Sequence, residues 1–446
     1  MTDHQSQARP VPVLGLFDAA CIIVGCIVGT GIFMTPMSVA QLVPSVPLIL
    51  FAWALAGVLC ITGALCYSEL AVAYPKAGGE YVYFSRAFGT WSGFLFSWSN
   101  MLVTRTGSIA AIAFAFGTYA DQVLSLGSYS VRLYAGLSIL IFTAVNIAGV
   151  RVGSTGQNIL TVCKVVGIVT VFLVAILHPA TSGSITSTQG SASQANFMVA
   201  MILILWTYGG WSEAAYVAAE VRNPDRNLPR SIIYGTLLVI ILYVCLNGAF
   251  LWALGVKGVG ASEAVAADCL GAALGDAGRR FISVLVMVSA LGAVNGYILT
   301  GARITYAMGA ESTLLAPLGR WNAKLGVPVW SLVVQGAISI LLLGTGSFKE
   351  LVEYTAAGAW LFFGLVPISL IVLRCRDTGT PRGYRVPFYP FVPLLFCLVC
   401  FYMLYSSINY AGRGALYGFL IVLSGVPIYW ISHRMGKDRE PRRARK

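Results

Sequence analysis

Apolar stretches of 18 or more residues recur from one end of this 446-residue chain to the other. Each is long enough to cross about 30 Å of hydrocarbon at about 1.5 Å of helical rise per residue. Backbone polar groups in hydrocarbon must be satisfied within the chain, so such a sequence folds as a bundle of spanning helices. Only 10% of the residues are charged and the mean hydropathy is +0.79, against about a quarter charged in ordinary soluble domains. Spans are predicted over 17–43, 47–74, 89–123, 131–150, 156–177, 196–219, 231–254, 281–308, 328–343, 351–373, 390–406 and 414–431. The fold class is therefore all-α integral membrane, with about twelve transmembrane helices. The 48 glycines fit close helix contacts and breaks that line a cavity.

The net charge of +12 is carried by bases in short loops and at the C-terminus, a positive-inside pattern rather than a nucleic-acid surface. With the N-terminus in the cytoplasm, 21 of the 29 Lys and Arg fall on cytoplasmic segments, Arg303 among them, and six lie outside. The other two, Arg105 and Lys164, fall inside spans. Both termini are expected in the cytoplasm. The basic tail over 432–446 can reach anionic lipid headgroups or stay solvated.

The ten cysteines sit mostly within apolar runs, without the paired spacing of a disulfide framework. The N-terminal tail over 1–16 lacks the short apolar core and cleavage site of a signal peptide, so the first apolar run is read as a retained span. No phosphate-binding loop is present, and His4, His178 and His433 lie outside span interiors without metal-ligand spacing. No enzyme chemistry, metal or cofactor is expected. Two polar connections stand out: a Ser/Thr/Gly-rich loop over 180–195 and an amphipathic stretch within 255–280.

Two spans are interrupted at matching places five helices apart, by Gly29-Thr30-Gly31 in the first and Gly209-Gly210 in the sixth. Matched interruptions of this kind mark inverted-repeat carriers, in which discontinuous helices meet near the midplane and their freed N–H and carbonyl groups bind a ligand.

Six segments carry a resemblance in order along nearly the whole chain: VGCIVGTGIFMTP at 24–36, YSELAVAYPKAGGEYVY at 67–83, NIAGVRVGSTGQNILTVCK at 146–164, WTYGGWSEAAYVAAEVRNPDRNLPRSI at 206–232, SALGAVNGYILTGARITYAMGAES at 289–312 and RGYRVPFYPFVP at 382–393. Together they resemble the amino acid-polyamine-organocation superfamily, and within it the L-type amino-acid transporters. The resemblance implies five plus five inverted-repeat helices, with repeats over 17–177 and 196–373 and two further spans over 390–431. It also implies transport of amino acids across a plasma membrane by alternating access. Animal members joined to a glycoprotein heavy chain carry a cysteine between the third and fourth spans; the loop over 121–130 has none, so no disulfide-linked heavy chain is expected.

A zwitterion entering a membrane-buried pocket must meet fixed partners for both charges. Its carboxylate is expected at the backbone N–H groups of Thr30 and Gly31, at the positive end of the following half-helix. By resemblance, its ammonium donates to carbonyls of Ile27, Trp206 and Gly209. Side-chain selectivity is assigned to the bulk of Trp206, Tyr208, Trp211 and Ser212. An indole at 206, where members that take large substrates have phenylalanine, favours small neutral amino acids. Lys164 is a charge deep in an apolar span and hence a functional candidate. By resemblance its ammonium stands where sodium-coupled relatives hold a sodium ion, linking carbonyls near Gly29 to Ser289, either as a fixed strut or as a proton carrier.

Arg105 can line the vestibule or pair with a carboxylate such as Glu213, and nothing in the sequence brings the two together. Glu213 is read as solvated in the cytoplasmic vestibule, with contact to a cationic substrate as the alternative. Glu69, Glu80 and Glu220 are expected at span ends, in exposed pairs with Arg222, Arg226 or nearby bases. The overall expectation is a sodium-independent exchanger of small neutral amino acids. Proton-coupled or cationic transport and a non-transporting sensor are the alternatives.

Overall fold

The computed structural model describes residues 9–178, 193–345, 348–411 and 413–443. These residues are almost wholly helical, and their only β features are two isolated bridges. The first span is two helices, α1 (Leu16–Ile27) and α2 (Gly31–Leu42), bent by 43° at residues 28–30. Then come α3 (Val46–Ala73), α4 (Glu80–Phe88), α5 (Thr90–Ser99), α6 (Arg105–Val123), α7 (Ser130–Ile147) and α8 (Val150–Leu177). The second half of the chain forms α9 (Gln194–Thr207), the four-residue α10 (Glu213–Tyr216), α11 (Pro224–Ala261), α12 (Val265–Leu274), α13 (Asp276–Glu311), α14 (Val329–Leu343), α15 (Phe348–Arg376), α16 (Phe391–Ala411) and α17 (Arg413–Arg443).

Local chemistry sets several of these boundaries. Pro47 in the first turn of α3 and Pro224 at the start of α11 occupy places where a missing N–H costs nothing. The Ser193 side chain caps α9 by accepting from the Asn196 N–H at 3.2 Å. Gly255, at φ 67°, kinks α11 where the chain leaves its apolar run.

Among the described residues nine helices have the length and apolarity to span, ten with the bent pair α1–α2. The remaining two of the twelve expected spans are the broken sixth and α14, whose 15 residues reach only about 22 Å. The sixth departs most from expectation. Its first helix stops at Thr207, residues 208–212 are non-helical, and only α10 and a 3-10 turn over Ala218–Glu220 follow. The connection between the second and third spans, read as loop, carries α4 beyond the turn at Gly78 and Gly79. Helices α8, α11 and α13 run longer at their ends than expected. The amphipathic stretch within 255–280 forms the end of α11 and α12. Most of the loop over 180–195, and residues 1–8 and 444–446 of the tails, lie outside the described residues.

Helix α13 is the axis of the bundle, packing on α1, α6, α7, α8 and α14. Two thirds of its apolar window is buried in the chain, against 28% for α16 and for α17, whose apolar sides are left to lipid. The two breaks face each other inside this core. A Cβ on Gly210, whose φ is +113°, would lie 2.9 Å from the Cys26 carbonyl carbon and the Ile27 nitrogen, so the sixth-span break is pressed directly on the first.

Candidate functional site

The first break frees backbone groups in a buried place, and the structure gives most of the freed carbonyls partners. The Lys164 ammonium, fully buried on α8, donates to the carbonyls of Gly25 at 2.8 Å, Val28 at 2.7 Å and Ser289 at 3.0 Å. Its three donors are thereby used. The Ser289 hydroxyl lies 3.1 Å from the Val28 carbonyl and 3.3 Å from that of Gly29. The link to α13 is therefore made twice. It runs through the Ser289 carbonyl toward Lys164 and through its hydroxyl toward the break, where a single link to Ser289 was expected. The Ile27 carbonyl accepts from the Tyr243 hydroxyl at 3.0 Å and from the Gly29 N–H at 2.8 Å.

On the other side of the break, Thr30 and Gly31 start α2, where a helix leaves its first N–H groups unpaired. Neither N–H has a hydrogen-bond partner among the described residues. The Trp206 carbonyl accepts from the Gly209 N–H at 3.0 Å, which closes the turn that ends α9. The two half-helices are tied together by the Thr35 hydroxyl, 2.7 Å from that of Thr207, which itself donates to the Leu203 carbonyl at 2.8 Å.

Ile27, Gly29, Thr30, Gly31, Trp206 and Gly209 line one cavity of about 480 Å³, together with Trp211. That volume suits a small ligand. The lining extends along α2 through Met34 and Ser38, α9 through Leu203, and α6 through Ser108 and Ile112. At the opposite side it stops at Arg105, Glu213, Tyr216 and Glu80. Tyr208 and Ser212 are not on it. Tyr208 is buried, with its ring 5.1 Å from that of Tyr243 and 5.8 Å from that of Trp53, and Ser212 is buried at the start of α10. The five non-helical residues follow no regular period, which is why neighbours of Trp206 point away from it.

The buried carboxylates correct the sequence reading. Arg105 and Glu213 meet: Nη1 donates to both Glu213 oxygens, at 2.9 and 3.0 Å, and the Thr300 hydroxyl donates to Oε2 at 2.5 Å. Glu213 is thus a buried partner of Arg105 rather than a solvated group. Glu220 pairs in a fork with Arg303, through Nε and Nη2 at 2.8 Å each, and both side chains are fully buried. Arg303 is an interior residue of α13, not a loop base. Glu69 accepts from Arg374 and Arg382 and from the Val386 N–H at 2.7 Å. Glu80 accepts from the Tyr67 and Tyr216 hydroxyls at 2.5 and 2.7 Å. None of the three pairs with Arg222 or Arg226, and none is exposed. A charge out of water requires such compensation, and interior helices supply it where surface bases cannot reach.

These ties close one end of the bundle. Leu14 and Val221 form a parallel bridge, the Val13 and Leu14 N–H groups donate to the Glu220 carbonyl at 2.8 Å each, and the Arg222 N–H donates to the Leu14 carbonyl at 2.9 Å. No group of three or more His, Cys, Asp or Glu side chains suited to a metal exists among the described residues.

The arrangement is a ligand-sized cavity between two broken helices, open along one pair of half-helices and latched at the other end. Known proteins with similar sequences fit it. The b(0,+)-type amino acid transporter 1 of Mus musculus is 34% identical over 428 residues, 94% of this chain and 87% of its own. The large neutral amino acids transporter small subunit 2 of Mus musculus is 32% identical over 94% of this chain and 80% of its own. The serine/threonine exchanger SteT of Bacillus subtilis (strain 168) is 28% identical over 94% of this chain and 96% of its own. The amino acid permease family model matches residues 14–432, and with that match over nearly its whole length the chain belongs to the amino acid permease family.

Proposed function

We propose that this protein is a sodium-independent exchanger of small neutral amino acids, working by alternating access in the plasma membrane with both termini in the cytoplasm. The observation that carries the proposal is the Lys164 ammonium held by the carbonyls of Gly25, Val28 and Ser289. An ammonium at the broken helix supplies the positive charge that a bound sodium ion would supply there, so no sodium is needed. The substrate carboxylate docks on the unpaired N–H groups of Thr30 and Gly31, and its ammonium on the carbonyls around Ile27, Trp206 and Gly209. The Trp206 indole keeps the side-chain space small. In this reading the helices over 17–177 and 196–373 are the two repeats that move against each other, and the chain is a carrier rather than an enzyme.

One relative is named as a small subunit. This chain has no cysteine between α6 and α7, which supports function without a disulfide-linked heavy chain.

Counterflow in proteoliposomes tests the proposal. Radiolabelled alanine should enter only when the lumen holds a neutral amino acid, at a rate unchanged by sodium or by a pH gradient. Uptake into empty vesicles driven by a pH gradient would make it a proton symporter. Saturable binding without flux would make it a sensor.

A further inference from the structure

The Arg105–Glu213 pair stands on the cavity wall, and the chain is shaped to put it there. Both residues line the cavity and both side chains are more than nine-tenths buried. The helix before Arg105 runs as one π-type turn over Asn100–Thr104, which shifts the facing of the residues that follow. Gly301 leaves the room the arginine stem needs, since a Cβ there would lie 2.6 Å from Arg105 Cγ. The guanidinium carbon then sits 5.0 Å from the ring centre of Tyr216 and 4.7 Å from that of Tyr297. A carboxylate with two tyrosine faces is the chemistry that recognises a cationic side chain.

The geometry points to Arg105 as an internal occupant of a cation subsite built by Glu213, Thr300, Tyr216 and Tyr297, and hence as the residue that restricts the cavity to substrates with uncharged side chains. This rests on the amino-acid reading of the cavity. A lysine or arginine substrate finds the carboxylate already neutralised, and an aspartate or glutamate finds the guanidinium already engaged. Removing one partner exposes the other to the ligand. Arg105→Ala opens a subsite for a guanidinium or an ammonium, and Glu213→Gln leaves a free guanidinium for a carboxylate.

The test measures alanine counterflow and thermal unfolding of the purified chain with arginine, aspartate and methylguanidinium as probes. In the parent none of the three should compete with alanine. In R105A, arginine should inhibit at least about tenfold more strongly than in the parent, and methylguanidinium should raise the unfolding temperature. Both effects should vanish in R105A/E213Q. In E213Q, aspartate rather than arginine should become the inhibitor. If R105A is too unstable to isolate, E213Q alone decides, and aspartate without effect overturns the assignment. A folded R105A indifferent to both arginine and methylguanidinium overturns it, as does a gain that survives in the double variant. Failure of the parent to bind any neutral amino acid would overturn the transport reading instead, while the methylguanidinium shift in R105A still reports on the subsite.

Discussion

The Lys164 ammonium lies 2.7 Å from the carbonyl oxygen of Val28, the residue that caps the end of α1. One charge from α8 therefore holds the edge of the break whose other edge, two residues on, presents Thr30 and Gly31 to the cavity. Hydrogen bonds to a charged group contribute roughly 1.5–3 kcal/mol each. Lys164→Ala removes three of them in a dry place and leaves the Val28 carbonyl with only the Ser289 hydroxyl. Alanine exchange should fall at least about tenfold, with membrane expression reduced far less, and the parent should exchange at the same rate in sodium and in choline. Parental exchange by the variant would relegate Lys164 to packing.

Gly292 offers a subtler test of the same link. A Cβ there would stand 2.7 Å from Lys164 Nζ and 2.9 Å from Cε. Alanine is a better helix former than glycine by about 1 kcal/mol, so Gly292→Ala should not weaken α13 itself. It should push the ammonium off its carbonyls, lower exchange severalfold and lower the unfolding temperature with it. An unchanged rate would mean that the ammonium can move without consequence.

The sequence was most informative where a single residue contradicts its surroundings. A lysine among apolar residues marked position 164, and paired glycines marked both breaks, because hydrocarbon tolerates neither without a reason. The spans were legible because hydropathy is a local property. The ion pairs were less so: Glu220 and Arg303 are 83 positions apart, and Arg105 and Glu213, which the sequence offers as one pairing among alternatives, are 108 apart. A carboxylate at a span end looks the same whether a buried arginine or water awaits it. The facing of Tyr208 and Ser212 was equally hidden, since residues 208–212 have no helical period from which to reckon direction. The helix α4 lies behind the Pro75 and Gly78-Gly79 punctuation, which in sequence reads as loop.

Gly31 tests the carboxylate site. Its Cβ would meet Thr207 Cγ2 at 3.2 Å and Oγ1 at 3.4 Å. The branched side chain of Gly31→Val fills the approach to the first N–H groups of α2 and presses on the Thr35–Thr207 tie. Loss of two charge-assisted hydrogen bonds should weaken alanine binding about a hundredfold or more. Retained affinity, measured by calorimetry on folded protein, would move the carboxylate elsewhere.

Trp206 tests selectivity. Its indole lines the cavity beside the sixth-span break and is 39% exposed. Trp206→Phe removes part of that bulk, and a methylene of pocket space changes discrimination by about 1–3 kcal/mol. The ratio of leucine to alanine exchange should rise about tenfold. An unchanged substrate profile would leave Trp206 as a packing residue of α9.

Glu220 and Arg303 test the latch at the closed end. Their fork joins the segment after the short α10 to α13, and the Glu220 carbonyl receives the Val13 and Leu14 N–H groups just before α1. Three parts of the chain thus meet at one residue, and under alternating access this is the junction that would part. Glu220→Gln keeps the shape but removes the charge, leaving a fully buried guanidinium without its counter-ion, a change that costs about 3–5 kcal/mol for a buried pair. The closed end should lose more than the open one. Cys26, a buried thiol on the cavity wall, reports the difference when the other nine cysteines are replaced. In oriented vesicles an impermeant maleimide applied on the side of the N-terminus should label Cys26 severalfold faster in Glu220→Gln than in its parent, and labelling from the other side should slow. Faster labelling from both sides would indicate general loosening. A lower unfolding temperature with unchanged labelling would make the fork a static tie between α13 and the sixth span, and the opening of this end would then have to begin elsewhere.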